Sequence, residues 1–221
     1  MEATSLFLTD HSNICYFPSL AIRPGKVRMP RPKEFNPEDA IEKAVQVFWH
    51  KGYEATSMED LLSAMKLSRG SLYDTFGDKR QLFLNVIDRY CATFASSKYP
   101  LLNQPGPSLP TLRRFIVGII EGALADPQRR GCLISNTVME LSPHEQEIAA
   151  RLRQALKGAE DIFFEVLSRA ERQGELQKGQ DPRALARFLI TMMQGTIVMI
   201  KAGTPADVVK QTAETAFSIV K

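Results

Sequence analysis

The chain has 221 residues, a formal net charge of +3, and 44% apolar against 24% charged side chains. That composition excludes a collagenous, low-complexity or disordered protein and leaves enough apolar material for one large or two small cored domains. The small charge does not by itself imply a polyanion partner. Three scattered cysteines (Cys15, Cys91, Cys132) form no CxxC and suit a reducing cytoplasm, and no apolar run reaches the length of a membrane span.

The stretch up to residue 30 carries apolar patches at Ile14-Cys15-Tyr16-Phe17 and Leu20-Ala21-Ile22, broken by Pro18 and Pro24. No basic residue precedes the first patch, so a signal peptide is not expected, and residues 1–30 read as a disordered extension. Arg23, Lys26, Arg28, Arg31 and Lys33 form a basic arm. It is either a solvated tail or an arm laid on phosphates or in a minor groove. Asn36-Pro37-Glu38-Asp39 opens a first helix with a cap, a proline at its first position and acids in its first turn. Ile41, Ala44, Val45 and Phe48 make its buried face, and Gly52 ends it. Trp49 reads as a packing residue against the fourth helix.

Thr56 to Lys79 predicts two short helices joined by a tight corner. Ser57 caps the first, with Asp60 as the return partner of a capping box, and Leu61, Leu62 and Met65 form its apolar stripe. Lys66-Leu67 is the corner. Ser68 caps the second helix, whose Leu72 and Phe76 point inward at i and i+4. Its other face carries Arg69, Gly70, Ser71, Tyr73 and Thr75, small or hydrogen-bonding residues of the kind a helix presents in a DNA major groove. Gly77-Asp78 breaks the chain. A fourth helix over 79–97 has a stripe (Leu82, Phe83, Val86, Ile87, Tyr90, Phe94) too broad for a small domain alone, so it should connect two.

The prolines at 100, 105, 107 and 110 predict a loop over 99–110. A fifth helix is expected over 111–125, and a short sixth from Gly131-Cys132-Leu133 to Leu141. Ser142-Pro143-His144-Glu145 reads as a capping box opening a long seventh helix over 143–173. Asp181-Pro182 opens an eighth over 182–202, apolar nearly all round, and Thr204-Pro205-Ala206-Asp207 a ninth to Val220. The fold class is all-α, about nine helices.

Between Arg31 and Phe94 the chain resembles the tetracycline-repressor-like (TetR) transcriptional regulators. The resemblance is carried by Ala44, Phe48, G-Y-x-x-T-S at Gly52–Ser57, Leu61, S-x-G-S-L-Y-x-x-F-G-x-K at Ser68–Lys79, Leu82 and Phe83. Lys66 departs from it, standing where the family usually has glycine; a lysine in left-handed geometry there costs about 1 kcal/mol. After residue 100 the match is one of architecture, with echoes at R-G-C-L and Q-G-T-I-V-M-I-K-A-G-T.

The resemblance implies a helix-turn-helix DNA-binding domain over 31–78, a connecting helix over 79–98 and a regulatory and dimerisation domain over 99–221. Met29-Pro-Arg-Pro-Lys-Glu-Phe looks like the usual start of a family member, which makes residues 1–28 an upstream extension. Arg69 is the leading candidate for base reading, with Ser71 and Thr75 behind it. Thr56, Tyr73 and Lys79 are implied phosphate contacts, and Ser57, Ser68 and Gly70 complete the DNA-binding set. For Tyr73 the alternative is half-buried packing, and for Lys79 a solvated charge. The implied partners are double-stranded DNA with an inverted-repeat operator, a second copy through the last two helices, and a small-molecule effector; repression is the family's commoner outcome.

Pocket candidates are Phe115, Ile119, Cys132, Asn136, Met139, Phe163, Phe164, Met192 and Gln194, each of which is otherwise plain core. Gly195, inside the eighth helix, marks a close approach either to a partner subunit or within one chain. Cys132 at a helix N-terminus, near Arg129 and Arg130, offers a thiol-based redox or electrophile-responsive regulator as an alternative; the plainer reading is an inert thiol. A helical protein–protein adaptor is the other alternative. His11, His50 and His144 lie far apart, and no phosphate loop, HExxH or Cys/His cluster occurs, so no enzyme, cofactor or metal is expected.

Overall fold

The Asn36 side chain accepts the Glu38 amide at 2.9 Å and opens α1 (Pro37–Lys51), which Gly52 ends at φ +83°. Ser57 and Asp60 exchange both bonds of the expected capping box at the start of α2 (Met58–Met65). The Asp60 carboxyl is held at about 2, first by the Lys51 ammonium and then by the Ser57 amide and hydroxyl. Lys66 takes left-handed geometry at φ 57°, ψ 46° and closes the corner. Lys66→Gly should therefore raise stability by about 1 kcal/mol, the penalty of an L-residue in that region, measured by urea denaturation. Ser68 accepts the Ser71 amide and starts α3 (Arg69–Phe76).

The structure, a computed structural model, describes residues 35–220; the extension and basic arm expected ahead of them lie outside. Among the described residues the remaining elements are α4 (Lys79–Lys98), a 3-10 turn (Tyr99–Asn103), α5 (Ser108–Ala125), α6 (Leu133–Leu141), α7 (Gln146–Arg172), α8 (Pro182–Lys201) and α9 (Ala206–Ile219), with no strand.

Two boundaries differ from expectation, each because a distant side chain takes over a helix end. The loop expected over 99–110 is partly helical. The 3-10 turn occupies its first half, and α5 begins at Ser108, ahead of Pro110. The Glu175 carboxylate accepts the Ser108 and Leu109 amides at 3.0 and 2.6 Å, supplying from α7's far end the acceptors that a local cap would provide. The seventh helix starts at Gln146, without a side-chain cap. The Glu145 carboxylate needed for the box is bound instead by Arg80 at the start of α4. Its 27 residues span about 40 Å.

Two apolar clusters hold the helices. The first gathers α1–α4 around Phe48, Leu61, Leu72 and Phe83, and takes in Leu133, Ile134 and Leu141 of α6 with Ile148 and Leu152 of α7. The second joins α5, α7, α8 and α9. The α4 helix feeds both: Leu82, Phe83, Val86 and Ile87 are buried in the first and Phe94 packs on the second. Composition and length alone would let α8 cross a membrane. Its inner face, from Leu185 to Ile200, is built into the second cluster against α7, α5 and α9.

Candidate functional site

The small helix α3 is fixed from beneath by Leu72 and Phe76, both buried, and at its start by Ser68. Its outward face is available. Arg69 and Gly70 are exposed and Tyr73 is 45% exposed, while Ser71 and Thr75 are half-buried. A Cβ placed on Gly70 would meet nothing within 4 Å, so glycine there keeps the face low rather than filling a packed spot. The Ser71 and Ser68 hydroxyls lie 2.9 Å apart. Arg69 reaches back to Glu59 of α2 at 2.8 Å, with both side chains mostly in solvent. An ion pair so exposed is worth roughly 0–1 kcal/mol, so a base edge can replace it.

The remaining DNA-binding candidates surround this face. The Lys79 ammonium stands 4.4 Å over the Tyr53 ring at the foot of α4. Ser57 is exposed at the α2 cap. Thr56 is buried to 1% exposure and its hydroxyl donates to the Gly52 carbonyl at 2.6 Å, so it holds the turn between α1 and α2 from within.

That turn is gripped from outside as well. The Glu140 carboxylate, from α6, accepts the Tyr53 and Glu54 amides at 3.0 and 2.8 Å. It lies so close that a Cβ on Gly52 would come within 3.0 Å of a Glu140 oxygen. Nothing local in the sequence signals a carboxylate 87 residues away; the glycine with its φ of +83° is the only trace it leaves.

A cavity of about 380 Å³ opens between α1, α4, α5, α6, α7 and α8. That is within the usual range for small-ligand sites. Ile119, Cys132 and Gln194 of the expected pocket residues line it. Phe115 and Phe163 are buried beside each other in the second cluster, rings 6.0 Å apart. Asn136 donates its amide to the Arg130 carbonyl at 2.8 Å. Met139 is 58% exposed on α6. Met192 is half-buried on the outer side of α8, its sulfur accepting from the Thr196 hydroxyl.

The sequence reading missed the contribution of α1, through Glu42, Val45, Gln46 and Trp49, and that of Tyr90 on α4. Trp49 packs on α4 as expected, edge to face with Tyr90 at 5.2 Å, and it borders the cavity too. Cys132 is the residue before α6, and the Tyr90 hydroxyl donates to its sulfur at 3.9 Å. Neither Cys91 nor Cys132 forms a disulfide among the described residues, and this geometry gives the thiol-sensing alternative no support.

Outside the core, α8 exposes Phe188, Gly195 and Met199, with half-buried Met192 between them; the spacing is four, three, four. On α9, Val208, Thr212, Thr215 and Ile219 repeat that spacing and are all exposed. A Cβ on Gly195 would meet nothing within 4 Å, so among the described residues this glycine serves no crossing with another helix.

Comparison with known proteins agrees with this arrangement. Residues 40–86 match the family model for bacterial regulatory proteins of the tetR family, and residues 108–216 that for the tetracyclin repressor-like C-terminal domain. The chain is similar to the uncharacterized HTH-type transcriptional regulator YezE of Bacillus subtilis, 35% identical over 195 residues, 87% of this chain and 100% of that one. It is also similar to the HTH-type transcriptional repressor ComR of Escherichia coli, 30% identical over 190 residues, 86% of this chain and 90% of that one. Among solved structures it resembles a cysteine mutant of the TetR family regulator CifR complexed with 26-base-pair operator DNA. The TM-score is 0.75 at 26% identity, over 84% of this chain and 97% of that one. The chain belongs to the TetR family: it is a DNA-binding transcriptional regulator of the helix-turn-helix type.

Proposed function

We propose that the protein is a homodimeric, cytoplasmic repressor that binds an inverted-repeat operator through α3 and leaves it when a small molecule enters the cavity. The observation that carries the DNA-reading role is the build of α3: one face pinned by Leu72 and Phe76, the other polar and open around Arg69. A guanidinium can bond guanine O6 and N7 together, worth about 1–3 kcal/mol of discrimination. Ser71 and Thr75 are the second-rank readers, while Tyr73, Lys79 and Ser57 meet phosphates at the rim. Thr56 contributes to that contact through the turn it holds.

One eight-residue helix covers too few base pairs to select a site. Two copies joined through the outer stripes of α8 and α9 would present two such helices about 34–36 Å apart, one turn of DNA. The relatives favour this reading: ComR is named a repressor, and the CifR structure holds operator DNA. Effector release needs only that the ligand prefer the non-binding arrangement by about 1–3 kcal/mol.

Selection of bound DNA from a random pool tests the whole reading. An inverted repeat is the expected result; an asymmetric site or no enrichment would overturn the dimeric reader. Lys79→Ala should weaken binding about equally on all sequences and lower the salt slope by about one, read by fluorescence anisotropy across a salt series. A loss confined to the operator would remove Lys79 from the phosphate role.

A further inference from the structure

One wall of the cavity is the first helix of the DNA-binding half, and the chain's single tryptophan stands in it. The Trp49 indole N–H donates to the Gly131 carbonyl at 3.0 Å. The Arg130 guanidinium lies 4.2 Å over its ring and also donates to Gln46 at 2.7 Å. The loop ahead of α6 is thus fastened to α1 by contacts that all border the cavity.

Apart from Lys98 at its rim, the charges around the cavity are already matched. Glu42 pairs with Arg89 at 3.1 Å and Asp126 with Arg130 at 2.9 Å. Arg130 is further occupied by Gln46 and the indole, and Lys98 stands at the exposed rim. An ion entering would find no countercharge inside and would lose its hydration. Most of the deeper wall is apolar, with Phe94, Ile134, Ile190 and Met193.

Two donors remain without a good acceptor. The Tyr90 hydroxyl accepts from the Leu133 amide, but it donates only to the Cys132 sulfur, at 3.9 Å, and sulfur accepts weakly. Burial pushes this phenol well above its ordinary range, so it keeps its proton. The Gln194 carbonyl takes the Ser135 hydroxyl, which leaves its amide nitrogen with no acceptor among the described residues.

We propose that the cavity takes a neutral, ring-containing molecule with a carbonyl oxygen, its ring against Trp49 of α1 and its oxygen toward Tyr90 and Gln194. This rests on the effector reading above and adds the ligand's chemical class and the helix that feels it. A ring pressed on Trp49 competes with the Gly131 and Arg130 contacts. Occupancy is therefore felt by α1 directly, as well as through α4.

The probe is 6-propionyl-2-dimethylaminonaphthalene, a neutral aromatic ketone that absorbs where tryptophan emits, added to the full-length protein. Excitation of Trp49 should give saturable quenching with sensitised probe emission. Gly122→Leu, at a lining position where a Cβ meets nothing within 4 Å, should weaken binding about tenfold or more by occupying the space. Tyr90→Phe should weaken the ketone about fivefold, the worth of one hydrogen bond. It should leave N-phenyl-1-naphthylamine, a neutral naphthalene without a carbonyl, unchanged.

Failure of the ketone to bind, equal losses of both probes in Tyr90→Phe, or tighter binding of anionic 1-anilinonaphthalene-8-sulfonate than of its neutral analogue would overturn the ligand class. The effector reading is judged separately. A compound of another class that releases operator DNA from the wild type but not from Gly122→Leu keeps it while sinking this proposal. Equal release from both proteins sinks the effector reading at this cavity.

Discussion

Gly52→Ala is expected to lower stability by about 3 kcal/mol, a large effect for one methyl group. Two causes add. At φ +83° and ψ 177° the backbone lies in a region that is essentially glycine-only, which costs about 1–3 kcal/mol for any other residue. The new Cβ would also meet the Glu140 carboxylate at 3.0 Å. Glu140 must then withdraw from the Tyr53 and Glu54 amides, at about 1–3 kcal/mol for a buried donor left unmade and less for the exposed Glu54. Urea denaturation of four proteins separates the causes: wild type, Gly52→Ala, Glu140→Ala and the double variant. If the contact is real, the glycine replacement costs about 1 kcal/mol less once Glu140 is gone. Strict additivity would mean that the backbone term is the whole effect and that α6 does not press on the turn. Operator affinity should fall with Glu140→Ala as well, since this carboxylate steadies the turn from which α2 and α3 depart.

The second large effect is expected at the outer stripe of α8. Met199→Asp should convert the proposed dimer to monomers at micromolar concentration and reduce operator affinity more than a hundredfold, about 3 kcal/mol. Met199 is 53% exposed within one chain, so the substitution leaves the subunit's own core intact. In a two-fold interface the same residue appears twice, and each aspartate would be buried without a partner. Gly195→Leu tests the same surface by bulk, because among the described residues nothing beyond its own helical turn lies within 4 Å of the added Cβ. Sedimentation velocity gives the oligomeric state and far-UV circular dichroism the fold. A Met199→Asp protein that remains a dimer would move the interface off α8.

Much of the N-terminal half is legible in the sequence because its determinants are local. Asn36, Ser57 with Asp60, and Ser68 each bond an amide two or three residues away, so caps and helix starts follow from spacing. The left-handed Lys66 follows from the shortness of the corner. What spacing does not carry are the long-range replacements for such caps. Glu175 holds the start of α5, Arg80 takes the Glu145 side chain expected to cap α7, and Glu140 closes the turn after α1. The cavity was half legible for the same reason. Helical periodicity places Ile119 and Phe163 on inward faces, but it does not separate a residue lining a void from one filling it. Ile119 proves to be the first and Phe163 the second. The share of α1 in that cavity depends on how two halves of the chain meet, and Trp49 looks like plain packing until Gly131 and Arg130 are seen around it.

The pairing of Arg69 with Glu59 has a consequence for how the protein searches a chromosome. If Arg69 reads bases as proposed, that side chain is already satisfied by Glu59 while the protein scans arbitrary sequence. Leaving that neighbour would be offset where a guanine waits and unfavourable by up to about 1 kcal/mol elsewhere, or up to about fivefold per half-site. In the proposed dimer two half-sites would multiply the penalty, and the acid on α2 would sharpen fidelity by weakening attachment to everything else.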